Sequence, residues 1–384
     1  MRHPARILLS VAAACALALG AMSPASAAVT YTSQQGPIGE VPAIDSSTNI
    51  IYSVITDKSV PNWEHVYINA VNGNTLQSVG TYTIADHSLS ESWVQGVTDL
   101  RVNSKTHTLW FSGSLGKAGT YIEQINGTTL QQIRRYDLGG SFGGTMAVDP
   151  ATGSAYIAAN PNTQYGSENP NSFVRQINAT TGAVTDLDLP GSFGDANTAW
   201  DSANSAVYVT QAGKVYAISS KLKLASTLTL PNEAQTRTLG ITADGTTHTI
   251  YVTGTRLYAI AGTTNTVSRS VPLASPGLPV IDPGISTVYV GTGVYSAATL
   301  AQTGTLPHPA TSVNGPTHAI YAAGTIAGGG WKITRPLSRP ACPRSPTAEC
   351  SRRMTHVLGC SSRTLCGQEL APEGQRSSGR AALQ

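Results

Sequence analysis

The sequence predicts an all-β fold, a seven-bladed β-propeller of four-stranded antiparallel blades in which the N-terminal strand completes the last blade. Three observations predict it. A nine-residue turn-and-strand motif recurs seven times, and a second hairpin follows most of its copies. Divided among seven units, residues 28–334 give a period of about 44 residues, the length of one propeller blade.

The first element is residues 1–27, read as a secretory signal peptide. Arg2 and Arg6 precede the apolar run ILLSVAAACALALGA, and PASA precedes Ala28. That is the charged, apolar and small-residue order of a cleaved leader. The expectation is a secreted protein, extracellular or associated with the cell surface. The run is shorter than the roughly 20 apolar residues of a membrane-spanning helix, and no later segment approaches that length, so no membrane span is expected.

The repeats follow. Aligned on an Asx and on the aromatic residue seven positions later, the copies are IDSSTNIIY, VNSKTHTLW, VDPATGSAY, WDSANSAVY, ADGTTHTIY, IDPGISTVY and VNGPTHAIY. Their heads are Asp45, Asn103, Asp149, Asp201, Asp244, Asp282 and Asn314, and the spacing never varies. An Asx side chain accepts backbone N–H groups just ahead of it and so opens a turn. The aromatic and its β-branched neighbours then favour a strand. His107, His248 and His318 all stand four residues after the Asx, where a left-handed backbone is expected and His is tolerated. In separate blades they are not expected to share a metal, and the five Asp heads are read as turn residues.

The second hairpin is seen in HVYINAVNGNTLQSVGTYT and TYIEQINGTTLQQIRRYDL, where Asn-Gly reads as a tight two-residue turn. Each unit is then a sheet with two apolar faces, which radial stacking buries. The seventh unit ends at GGGWKIT, one strand short. VTYTS (Val29 to Ser33) shares Thr-Tyr-Thr with Thr81-Tyr82-Thr83 of the first blade and is expected to supply the missing strand.

Residues 335–384 differ in kind. They hold eight Arg and Cys342, Cys350, Cys360 and Cys366, with no Tyr, Phe, Trp, Ile or Asn. The segment is read as a disordered or out-of-frame tail, with a small disulfide module as the other reading; the cysteine spacings match no zinc ribbon or finger. Removing the two leader arginines and the tail's net +5 from the overall +3 leaves the propeller at −4. A mildly acidic domain without clustered Lys and Arg is not expected to bind nucleic acid.

VDPATGSAYIAAN followed by INATTGAVTDLDLPG resembles the YVTN-type repeats of bacterial and archaeal seven-bladed propellers, over about residues 29–334. The Tyr-Val pair stands at Tyr208, Tyr251 and Tyr289 but becomes Tyr-Ile at Tyr156 and Tyr-Ala at Tyr321. The resemblance implies the fold and a WD40-like, secreted bacterial protein; it implies no single function.

Departures from the repeat carry the functional expectation, because shared positions are explained by packing. Connections on one face are short in blades 4 to 6, as in TQAGKVY, and long in blades 1 to 3, as in TDKSVPNWEHVY, IADHSLSESWVQG and ANPNTQYGSENPNSF. They gather Trp63, His65, His87, Trp93 and Tyr165, and loops on rigid scaffolds carry binding. Two inner-strand outliers are Trp200, read as core, and Arg101, which stands where other copies have Ala and is read as facing the channel. The expected function is a noncatalytic recognition or scaffold module that binds a protein or cell-envelope polymer through these residues and needs no cofactor or metal. His65 and His87 with Glu64, Asp86 and Glu91 keep a general acid–base role or a divalent-metal site open. The other classes are therefore a propeller-fold lyase or hydrolase with its site at the channel mouth, similar to streptogramin lyases but without a matching catalytic motif, and a self-associating cell-surface protein.

Overall fold

A computed structural model describes residues 30–60, 63–88, 95–114, 120–137, 145–159, 172–190, 196–233, 239–324 and 329–335. The leader and the tail beyond Arg335 lie outside these residues, as do the crossover segments GGSFGG (139–144) and most of PGSFGD (190–195). The described chain is all-β, with seven four-stranded antiparallel sheets and one 3-10 turn at Pro283–Ile285.

The blades span residues 40–88, 95–137, 146–188, 197–229, 240–272, 279–305 and 312–334. Each of the first six is entered at its innermost strand and left at its outermost. Successive inner strands pack side by side, and Ser312–Asn314 of blade 7 packs on Glu40–Asp45 of blade 1, so the ring closes. Thr32–Gly36 pairs antiparallel with Gly330–Thr334 and is the outer strand of blade 7. The strand starts at Thr32, where VTYTS nearly ends. The Thr32 and Thr334 hydroxyls meet at 2.9 Å, and beyond Gly36 comes Pro37, whose ring has no N–H to continue the ladder.

In the first hairpin of blades 1 to 6, Asp45, Asn103, Asp149, Asp201, Asp244 and Asp282 accept the backbone N–H two residues ahead, at 2.8–3.1 Å. Four residues after the Asx every copy is left-handed: Asn49, His107, Gly153, Ser205, His248, Ser286 and His318 have φ between 48° and 76°.

The second hairpin corrects the Asn-Gly reading. Asn72 and Asn126 head Asx turns, accepting N–H groups from residues two and three ahead, and the left-handed residues are Leu76 and Leu130. Leu222 and Leu300 do the same in blades 4 and 6. The left-handed backbone costs on the order of 1 kcal/mol. Burying a leucine side chain between blades contributes about 1.5–3 kcal/mol, which outweighs it. The glycines serve close approach instead: a Cβ on Gly127 would stand 2.7 Å from the His107 carbonyl oxygen and 3.0 Å from the Tyr52 hydroxyl.

The core is divided into seven clusters, one at each blade interface. The repeated aromatic lies at its centre. Tyr52, Trp110, Tyr156, Tyr208 and Tyr251 are buried and donate to backbone carbonyls of the next blade, at Gly127, Gly153, Ser220, Gly262 and Ala297. Each aromatic therefore fills one interface and satisfies a buried acceptor across it.

Candidate functional site

The histidines of the first turns have partners that the alignment did not expose. His107 Nδ1 lies 2.6 Å from Asp45 Oδ2, and His318 Nδ1 lies 2.9 Å from Asp282 Oδ2; each links a turn to the Asx of the preceding blade. His248 stands 3.7 Å from Asp201 Oδ2, an oxygen that already accepts Asn204 Nδ2 at 2.8 Å. The first two are inter-blade clasps at separate interfaces, whereas His248 Nδ1 makes no hydrogen bond among the described residues. Among the described residues no group of three or more His, Cys, Asp or Glu side chains is placed to hold a metal ion. Burial would raise the Asp45 carboxyl, but hydrogen bonds from Ser47, His107 and Thr48 hold it below the ordinary carboxylate value.

On the long-loop face, the blade 1 segments read as loops continue as strands. Trp63–Asn72 and Ser78–Ser88 run 10 and 11 residues, against 6 and 6 in blade 4 and 4 and 4 in blade 6. The pairing persists because the ladder absorbs the mismatch in a register shift at Val66/Tyr67 and then continues to Trp63 opposite Ser88. Trp63, His65 and His87 thus share one hairpin. His65 is half-buried, its ring centroid 5.0 Å from that of Tyr67, and its strand neighbours in register are Asp57 and Asp86. The Ser59 N–H and hydroxyl hold the Asp57 carboxyl low, with a smaller contribution from His65. Trp93 and Tyr165, like Glu91, lie outside the described residues, as do the side chains of Trp63, Glu64, Asp86 and His87.

The channel is the other candidate. Arg101 lines a cavity of about 300 Å³ bounded by the inner strands of blades 2 to 7. Its Nε donates to Asp99 Oδ2 at 2.9 Å and to the Met146 carbonyl at 2.8 Å, while the Met146 N–H donates to the same Asp99 oxygen. The Asp99–Arg101 pair thereby satisfies both backbone groups of a residue in blade 3. Burial pushes the Asp99 carboxyl up, against the pull of Arg101 and the N–H groups of Met146 and Leu100. Asp99 was not singled out from sequence. Its signal was alternation, since two residues apart on a strand place Asp99 and Arg101 on one face.

Register gives the level of Arg101 in the ring. It is the cross-strand partner of Trp110, and the partners of the other six aromatics are Ala43, Ala147, Ala199, Thr242, Val280 and Ser312. One long cation stands in a layer of otherwise small side chains. Trp200 borders the same cavity while stacking on Tyr156, centroids 5.2 Å apart, in the core between blades 3 and 4.

No protein-family profile matches the sequence, and no curated protein matches it. Among the described residues no helix is long and apolar enough to cross a membrane. Among solved structures, a chain from the crystal structure of a mitotic checkpoint complex superposes with a TM-score of 0.58 at 10% identity, covering 86% of this chain and 99% of that one. At that identity the likeness shows the fold alone, a seven-bladed propeller of WD40-like repeats.

Proposed function

We propose that the protein is a secreted, noncatalytic recognition module of the YVTN-repeat type, holding a protein or cell-envelope polymer on the long-connection face of blades 1 to 3. The observation that supports this is the projecting hairpin of blade 1, which carries Trp63, His65 and His87 at the end where the blade 1 to 2 connection with Trp93 departs. A rigid antiparallel ribbon presents aromatic residues at low entropic cost, and Trp and Tyr dominate interaction hot spots. The fold neighbour is itself part of a multiprotein complex, which favours a protein partner. The test is affinity capture from culture supernatant and cell-envelope extract with the full chain and with Trp63→Ala/Trp93→Ala. A defined component retained by the intact chain and lost with the variant is expected; equal recovery by both overturns the reading.

One observation favours catalysis as a second reading, the placement of His65 in register between Asp57 and Asp86. A general acid–base role needs a carboxylate within reach of the imidazole. It requires that His65→Ala abolish turnover while the capture experiment is unchanged.

A further inference from the structure

We propose that the channel cavity beside Arg101 binds a small organic carboxylate with an apolar body, a site distinct from the blade 1 to 3 face. Arg101 is the one charged side chain among the described residues lining the cavity. Its Nε is committed to Asp99 and Met146, which fixes the guanidinium plane. Its two terminal nitrogens have no hydrogen-bond partner among the described residues, and the side chain keeps 39% of its surface exposed. A planar fork held by one nitrogen offers the remaining donors in the geometry that a carboxylate accepts in pairs.

The walls suit the same ligand. Alanines at positions 147 and 199 leave room at the level of Arg101, where Thr242 carries a hydroxyl without a partner among the described residues. Val148, Val280 and Trp200 give the lining an apolar stretch beside Thr145, Thr198 and Thr311. A volume of about 300 Å³ suits a small molecule and excludes a folded partner. Arg101 already shares its charge with Asp99, so its free N–H donors suit a monoanion better than a phosphate dianion, whose further negative charge has nothing in the lining to neutralise it.

The test is calorimetric titration of the full chain with benzoate and hexanoate, their neutral amides, and inorganic phosphate. Saturable binding of one carboxylate is expected, with its amide roughly tenfold weaker or worse and phosphate no tighter than the amide. Arg101→Lys keeps the charge but loses the fork, and is expected to weaken the carboxylate roughly tenfold. Thr242→Met places a longer side chain in the cavity without removing a hydrogen bond of the fold and is expected to abolish binding, with melting temperature as the folding control for both. The proposal is overturned if no carboxylate binds, if acid and amide bind alike, if phosphate binds tighter than both carboxylates, or if Thr242→Met binds like the unaltered chain. Capture of a partner on the long-connection face is expected to survive Thr242→Met, so failure here leaves that reading standing.

Discussion

The interface between blades 4 and 5 and the closing interface between blades 7 and 1 are built from the same sequence signature but bond differently. In the first, Tyr208 is buried and its hydroxyl donates to the Gly262 carbonyl at 2.6 Å. In the second, Tyr321 is equally buried, yet its hydroxyl has no partner among the described residues and burial pushes its phenol up to about 12. The equivalent carbonyl, that of Gly73, accepts Lys332 Nζ instead. Lys332 lies opposite Tyr321 in the ladder, where blade 4 has Ala217 opposite Tyr208. The repeated aromatic is buried at both interfaces, whereas at the closing one a lysine facing it across the ladder takes the carbonyl it would otherwise bond. The closing interface takes its security from the chain end, through the pairing of Thr32–Gly36 with Gly330–Thr334.

The largest effect that tests this comparison is removal of residues 28–36. Five paired residues are lost and an edge is opened, so at about 1 kcal/mol net for each hydrogen bond the expected loss is on the order of 4 kcal/mol, read as a lower urea midpoint. An unchanged midpoint would place closure in the Lys332 contact and the core around Ile38 and Leu76. Next in size is a matched pair. Tyr208→Phe strips a donor from the buried Gly262 carbonyl and is expected to cost about 1–2 kcal/mol, whereas Tyr321→Phe removes a hydroxyl that bonds none of the described residues and is expected to fall within about 0.5 kcal/mol of zero or to stabilise. Equal losses in denaturant titrations would show that the hydroxyls contribute alike and that the comparison is empty.

Acid sharpens the comparison further. Asp45 has its carboxyl held below the ordinary value by Ser47, His107 and Thr48, so its contribution is fully present above the unfolded carboxylate value of about 4 and is lost as pH falls through the lower folded value. Asp45→Asn is expected to cost about 1 kcal/mol at neutral pH and to flatten the acid limb of the stability profile below about pH 4. Melting temperatures across that range check it; a parallel profile would remove Asp45 from the acid transition.

The repeat made the architecture legible because the seven-residue interval between Asx and aromatic is a local property: both ends belong to one hairpin. The left-handed positions were legible for the same reason. What His107 and His318 touch was not, since each partner sits in the preceding blade, 62 and 36 residues away. Arg101 stood out as a long side chain where siblings have Ala, while Asp99 was hidden because its neighbours in the alignment share no residue type. Asn-Gly misled because glycine has two uses, left-handed backbone and close approach. Only the packing of His107 and Tyr52 against Gly127 distinguishes them. The blade 1 hairpin reads as a loop in sequence because Pro and Asn break the pattern at residues 61–62, although pairing resumes at Trp63.

The smallest expected effect comes from supplying a clasp where the repeat lacks one. Between blades 2 and 3 the left-handed position is Gly153, and the Asn103 Nδ2 it faces is buried without a partner among the described residues. The sibling pairs His107–Asp45 and His318–Asp282 show the complementary arrangement, with His at φ 53° and 55°. Installing both halves, Gly153→His with Asn103→Asp, trades an orphaned amide for an inter-blade hydrogen bond. Against it stand the left-handed cost for a residue with a Cβ, on the order of 1 kcal/mol, and the approach of that Cβ to Ala179 Cβ at 3.2 Å. The net change in stability is therefore expected to be near zero, and the informative quantity is the coupling in a double-mutant cycle. A favourable coupling of about 0.5–1 kcal/mol between the two substitutions is expected at pH 6, where the imidazole is largely protonated. A coupling of zero would mean that the clasps at the other interfaces are consequences of ring closure rather than contributors to it.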